Sequence, residues 1–183
     1  MGRDKAMLEL EGTSFLERIA ATMRPLVASV RVVGRAGDIE NLPSIEDLRP
    51  GLGPLAAIET ALAAAAGVDV LVVACDLPLI STALLALVVE CARSAPGSIA
   101  VPLDSEGRLA PLAAVYPTSA LARVASLLDA GERKPRALLD IIPTVVLPFE
   151  DYANLPGALH LLRNVNTPED WDRARSLWNE IKS

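Results

Sequence analysis

Three residues of this chain stand where a side chain could meet a phosphorylated small molecule. Asp76 ends the apolar run of "VLVVACDLPLI", so a carboxylate falls at the mouth of a strand. Taken alone, it reads equally as a metal or phosphate-site ligand and as the cap of a turn before Pro78. Asp47 precedes a glycine-rich turn in "IEDLRPGLGPLAAIETAL". Gly51 and Gly53 there allow close backbone approach, and a helix N-terminus beginning at Pro54 offers N–H groups to an anion or a base edge. The plainer alternative is an ordinary loop leading into a proline-initiated helix. Lys5, in "MGRDKAMLEL", could neutralise phosphate as a point charge, although most lysines are solvated surface groups.

Charge and composition narrow the chemistry. The 183 residues carry a formal net charge of −6 and the sequence pI is about 4.8, so no basic field exists to attract nucleic acid or an anionic membrane. An anionic substrate therefore needs a local cation or a metal ion. Cys75 and Cys91 lack metal-ligand spacing, and His160 is the single histidine, which argues against a zinc site. Both cysteines are expected to be small core residues, as is Tyr116, and His160 a surface group. Glu59 and Asp69 interrupt the most apolar region before it reaches the ~18 residues of a membrane span, and a charged N-terminus is unlike a secretory signal. A cytoplasmic protein is expected.

The elements that must position these residues alternate along the chain. Short β-branched runs occur at Val30–Gly34, Val68–Asp76, Ser98–Leu103, Leu112–Tyr116 and Thr144–Phe149. Helical patterns lie between them: from Ser14, with Glu17 completing a capping-box pattern, to before Pro25; after Gly53-Pro54; after Ser81; from Thr118 to about Ala130; and from Thr167. Hydrophobic residues make up 51% but aromatics only 3%, the composition of helices covering a buried sheet. This predicts one α/β domain spanning residues 1–183, a doubly wound, mostly parallel sheet with helices on both faces, in which "VLVVAC" forms a central strand buried on both sides.

Taken together, "MGRDKAMLELEGTSFLERIA", "DLRPGLGPLAAIETAL", "VLVVACDLPLI", "PLAAVY" and "RNVNTPEDW" resemble, in order and approximate spacing, the molybdenum cofactor guanylyltransferases, the MobA-type nucleotidyltransferases. The resemblance covers nearly the whole chain and implies a Rossmann-like nucleotidyltransferase fold. It implies transfer of GMP from GTP to molybdopterin, with release of pyrophosphate and Mg²⁺ as cofactor. Lys5 is similar to the family's phosphate-contacting lysine, and Asp47 to the aspartate that helps bind guanosine. Gly53, Pro54 and Leu55 are similar to the nucleotide-binding turn, and Asp76 to the metal-binding aspartate. Asn164 and Asn166 are similar to the asparagines on the pterin side. Ala56-Ala57 replaces the usual Ala-Gly, and Gly34 stands where the family has a nucleotide-contacting asparagine. Arg133 and Lys134 could meet the pterin phosphate, or simply form a solvated helix start. The alternatives are a related nucleotidyltransferase using CTP or a sugar 1-phosphate, and an inactive nucleotide- or pterin-binding homologue.

One departure concerns the front of the chain. Family members begin with a strand and the loop L-A-G-G-x-S-x-R, whereas Met1 and Gly2 fall at that motif's end, about fifteen residues short if the strand has ~5 residues. The reading expects Met1 to be an internal methionine of a longer chain. In a doubly wound sheet the first strand lies in the middle, so without it two apolar neighbours and rows of backbone polar groups lack a partner. Poor folding or rearrangement is expected of such a chain, and weakened grip on a triphosphate.

Overall fold

A computed structural model of the chain describes residues 9–35, 37 and 42–182, apart from the side chains of 10 and 179–182. It opens with a hairpin of β1 (Glu9–Leu10) and β2 (Thr13–Ser14). The two turn residues, Glu11 and Gly12, both have positive φ, 53° and 76°, the backbone twist that suits a two-residue hairpin. Ser14 then caps α1 (Phe15–Met23), its Oγ accepting from the Glu17 N–H at 3.0 Å. The Glu17 carboxylate pairs with Arg24 at 2.8 Å. As the spacing predicts, α1 stops before Pro25.

Two short strands, β3 (Val32–Val33) and β4 (Ser44–Ile45), pair in parallel. The helix α2 (Pro54–Ala64) follows, with Pro54 at its first position, where the missing N–H costs nothing. Then come β5 (Val70–Val73), α3 (Thr82–Ser94), β6 (Ile99–Pro102) and β7 (Ala113–Tyr116). A single 3₁₀ turn leads into α4 (Leu121–Asp129), followed by α5 (Arg136–Leu139), β8 (Thr144–Leu147) and α6 (Pro168–Lys182). Ser81 caps α3 through Leu84 N–H at 3.2 Å, a bond of the kind that contributes about 1 kcal/mol.

The main sheet has the order β5-β7-β6-β8. β7 is antiparallel to both β5 and β6, while β6 and β8 are parallel, so β5, β6 and β8 share one direction and β7 alone opposes it. Helices cover both faces. On one side α3 supplies Leu84, Leu85 and Val88 to a core with Ile19 of α1 and Val115. On the other, Leu55, Ile58 and Leu62 of α2 meet Val124 and Leu128 of α4 over Ile99, Val101 and Tyr116. Each fully buried aliphatic side chain contributes about 2 kcal/mol. The sheet is mixed, with helices on both faces, the α/β layering that the alternation of strand and helix predicts.

The expectation for "VLVVAC" needs correction. β5 is an edge strand among the described elements, and three of its four residues are only half-buried. A slot of about 580 Å³ adjoins it. Its rims are β5 and the segment Ala28–Val33 that contains β3; its walls are α1 (Leu16, Ile19, Ala20, Met23) and α2 (Ala57, Ala61, Ala64). Two strand segments and two apolar helix faces thus line one space.

Candidate active site at the strand ends

Asp76 lies in the turn after β5, half-buried, at the end of the slot. Its backbone carbonyl accepts from Val165 N–H at 2.8 Å, which draws the "NVNT" segment against the turn. Val165 is buried at 2% exposure with Phe15, Leu79 and Ala174, while Asn164 and Asn166 on either side of it are exposed. Asp76 and the two asparagines are therefore brought together by one backbone bond and one apolar anchor. The carboxylate of Asp170 accepts from the N–H groups of Asn166 (3.1 Å) and Thr167 (3.0 Å), and Thr167 Oγ1 accepts from Asp170 N–H at 3.1 Å. Those bonds, that of Asn166 foremost, hold the Asp170 carboxyl below its ordinary range.

Asp47 sits beyond the end of β4, against Gly34 at the end of β3. The two strand ends are tied by the bond from Gly34 N–H to the Ile45 carbonyl, 2.9 Å. Gly34 has φ of +88°, and a Cβ added there would stand 3.1 Å from Asp47 Oδ2. Glycine is thus required twice, for the backbone angle and for the carboxylate's approach. Asp47 Oδ1 is buried with no hydrogen-bond partner among the described residues. A buried acceptor left in that state costs about 1–3 kcal/mol, which marks it as poised for a ligand's donor.

After Asp47 the chain turns through Gly53, at φ +79°, into α2. A Cβ on Gly53 would contact the Arg133 carbonyl at 3.8 Å, so the loop before α5 backs this turn. Leu55 is fully buried in the α2 core. Any contact it makes with a ligand is through its backbone N–H, and Pro54 has none to offer. Gly53 and Leu55 therefore present backbone to the site, while Pro54 is exposed beside them.

The remaining predicted residues divide. Lys5 lies outside the described residues. Arg133 is not a solvated helix start: it is half-buried ahead of α5, and its guanidinium donates to the carbonyls of Leu128 (3.0 Å) and Glu132 (2.7 Å). Lys134 is exposed. Cys75 is exposed rather than part of the core, because the chain leaves the sheet at Val73 and turns outward before it; Cys91 is half-buried, and burial raises its thiol pKa. Tyr116 is a core residue, as expected, with its hydroxyl donating to the Pro111 carbonyl at 2.7 Å and its pKa raised by burial. His160 is half-buried in a 3₁₀ turn, not a free surface group. Its Nδ1 is buried with no hydrogen-bond partner among the described residues.

Among the described residues no three His, Cys, Asp or Glu side chains gather as a metal cluster, and no helix is long and apolar enough to cross a membrane. The site is thus a carboxylate at the end of β5, a second carboxylate with an orphaned oxygen at the end of β4, and a helix N-terminus after a glycine turn. Ligands of parallel α/β sheets bind at such strand ends. The sequence pattern missed the Gly34–Asp47 contact, which the pairing of the two short strands β3 and β4 creates.

Known proteins share both the sequence and the fold of this chain. The chain is 30% identical, over 98% of its length and 90% of the relative's, to a probable molybdenum cofactor guanylyltransferase of Carboxydothermus hydrogenoformans. Its fold matches the crystal structure of molybdopterin-guanine dinucleotide biosynthesis protein A from Archaeoglobus fulgidus, with a TM-score of 0.80 at 24% identity, covering 97% of this chain and 92% of that one. It also matches 2-C-methyl-D-erythritol 4-phosphate cytidylyltransferase from Thermus thermophilus, with a TM-score of 0.72 at 22% identity over 96% and 94% of the two chains. The model of the MobA-like NTP transferase domain matches residues 1–145. With the family model over residues 1–145 and a relative 30% identical across nearly the whole of both chains, the chain belongs to the MobA-like NTP transferase family.

Proposed function

We propose that this nucleotidyltransferase transfers GMP from GTP to the terminal phosphate of molybdopterin. A phosphate oxygen of the pterin attacks the α-phosphorus of GTP, the bond from that phosphorus to the β-phosphate oxygen breaks, and pyrophosphate leaves. The observation that carries the choice of GTP is the orphaned Asp47 Oδ1. A carboxylate only accepts hydrogen bonds. The Watson–Crick edge of guanine presents two adjacent donors, N1–H and the 2-amino group, whereas that of cytosine presents one amino group beside acceptors. Asp47 would take the guanine donors while the glycine turn lets the backbone approach the nucleoside.

At the other carboxylate the need is electrostatic, since two phosphates must meet on a protein of net charge −6. Asp76 is a hard oxygen donor at the end of the slot, which suits Mg²⁺, an ion commonly held by one or two carboxylates together with substrate phosphates. When bound, the ion would supply Lewis-acid neutralisation of the phosphate oxygens. Asp76 anchors and orients that end of the cleft, and Asn164 and Asn166, exposed beside it, offer amides to the pterin. Lys5 is assigned the departing charge of pyrophosphate. No covalent protein intermediate is required, because positioning carries most of the rate.

The test is pyrophosphate release in the presence of molybdopterin and Mg²⁺, with GTP and CTP compared in parallel. Release from GTP at least ~10-fold faster than from CTP is expected, the factor equivalent to about 1.4 kcal/mol of lost donor pairing. Preference for CTP would contradict the assignment, and GTP binding without release would point to a binding module.

A further inference from the structure

The loop that carries Asp47 is fastened to α2 by two neighbouring residues. Leu48 N–H donates to Thr60 Oγ1 at 3.0 Å, and the same hydroxyl donates to the Ala56 carbonyl at 3.0 Å. One residue on, Arg49 Nε stands 3.0 Å from Glu59 Oε2, and its Nη1 also bonds the Asp129 carboxylate at the end of α4. Glu59 is 5% exposed and Thr60 2%, two of the three fully buried polar or charged residues among those described. The Asp129 side chain is 68% exposed.

A carboxylate buried in a leucine- and alanine-rich helix is costly unless its partner is fixed. The surface arm to Asp129 contributes little by comparison. A pair that is expensive to bury and placed two residues from the candidate base-reading carboxylate calls for a role other than bulk stability, which an aliphatic residue would serve better. Asp47 itself has no described hydrogen-bond partner on Oδ1 to hold it. Its position is set by the backbone on either side, tied at Ile45 to Gly34 before it and at Leu48 and Arg49 to α2 after it.

We propose that Glu59, through Arg49 and together with Thr60, is a positioning residue that sets the Asp47 carboxylate for nucleobase selection. The inference rests on the GTP reading given above, but the clamp itself can be tested without nucleotide. In ligand-free protein, Glu59→Gln should speed amide exchange at residues 48–53 by about tenfold, since the charge that holds Arg49 inward is gone. With nucleotide, it should weaken GTP binding about tenfold and narrow the GTP-over-CTP ratio, while kcat at saturating GTP stays within about twofold. A purely structural role would lower stability without changing that ratio. If Glu59→Gln fails to fold, Glu59→Gln combined with Arg49→Gln removes both charges and leaves the loop equally unclamped. Unchanged exchange at residues 48–53 overturns the clamp whether or not GTP binds. Faster exchange with an unchanged GTP-over-CTP ratio overturns its role in selection. A wild-type protein that ignores GTP refutes the nucleotide reading, and the exchange result still decides the clamp.

Discussion

Asp76 stands in the turn that ends β5, and Gly34 packs against Asp47. If Asp76 holds the phosphate end of the cleft, Asp76→Asn should reduce metal-dependent turnover by about 100-fold or more. The half-buried carboxylate lies in a turn, so the thermal midpoint should move by only a few degrees. Pyrophosphate assays and calorimetry on the same preparation separate the two effects. Gly34 makes the opposite prediction, because its positive φ and 3.1 Å approach to Asp47 leave no room for a Cβ. Gly34→Ala should cost about 1–3 kcal/mol, read from the urea midpoint, and should weaken GTP binding by displacing Asp47. The sequence singles out Asp76 and Asp47 by their position after apolar or glycine-bearing segments. It does not reveal the Gly34 contact, because β3 is marked by a β-branched run but its two-residue partner β4 has no periodicity of its own.

Helix signals were readable because capping is local chemistry. Ser14, Ser81 and Thr167 each bond an N–H three residues on, and Pro25 and Pro54 mark a stop and a start. The start of α6 carries a pH prediction. Bonds from the N–H groups of Asn166, first, and Thr167 depress the Asp170 carboxyl pKa. A depressed folded pKa stabilises the cap above the unfolded value, near ~3.9, and that contribution disappears as pH falls through the lower folded value. The amide resonances of Asn166 and Thr167 should therefore titrate with a midpoint below ~3.9. A midpoint at or above that figure would show that the carboxylate does not hold the segment beside Asp76. Strand signals were less complete. "VLVVAC" is apolar on both faces, as a central strand would be, yet β5 borders a slot. Periodicity reports which surfaces need covering, not whether a neighbour covers them.

Across the whole molecule, the slot between β3 and β5 is the feature that composition could not supply. Its apolar walls on α1 and α2 and its two strand edges leave hydrophobic surface and backbone groups without strand partners among the described elements. The folded protein should bind a hydrophobic dye such as ANS. Placing an apolar five-residue strand and a glycine linker ahead of Met1 should suppress that signal. If the added strand pairs along both edges, about four new backbone bonds at ~1 kcal/mol each should raise the thermal midpoint by roughly 10 °C. An unchanged midpoint with unchanged dye binding would show that the slot does not accept a strand. Fold class was legible because the alternation of strand and helix leaves few packings. The reversal of β7 was not recognised, although the helix-free connection 103–112 that leads into it from β6 suits an antiparallel neighbour better than a parallel crossover.

Two carboxylates at strand ends carry the proposed function, one for the base and one for the phosphates. Calorimetric titration with GTP, with and without Mg²⁺, on the wild type, Asp47→Asn and Asp76→Asn tests it most directly. The account predicts that Asp47→Asn weakens GTP but not CTP, and that Asp76→Asn removes the magnesium dependence of both. GTP binding with the same affinity and the same magnesium dependence in all three proteins would contradict it.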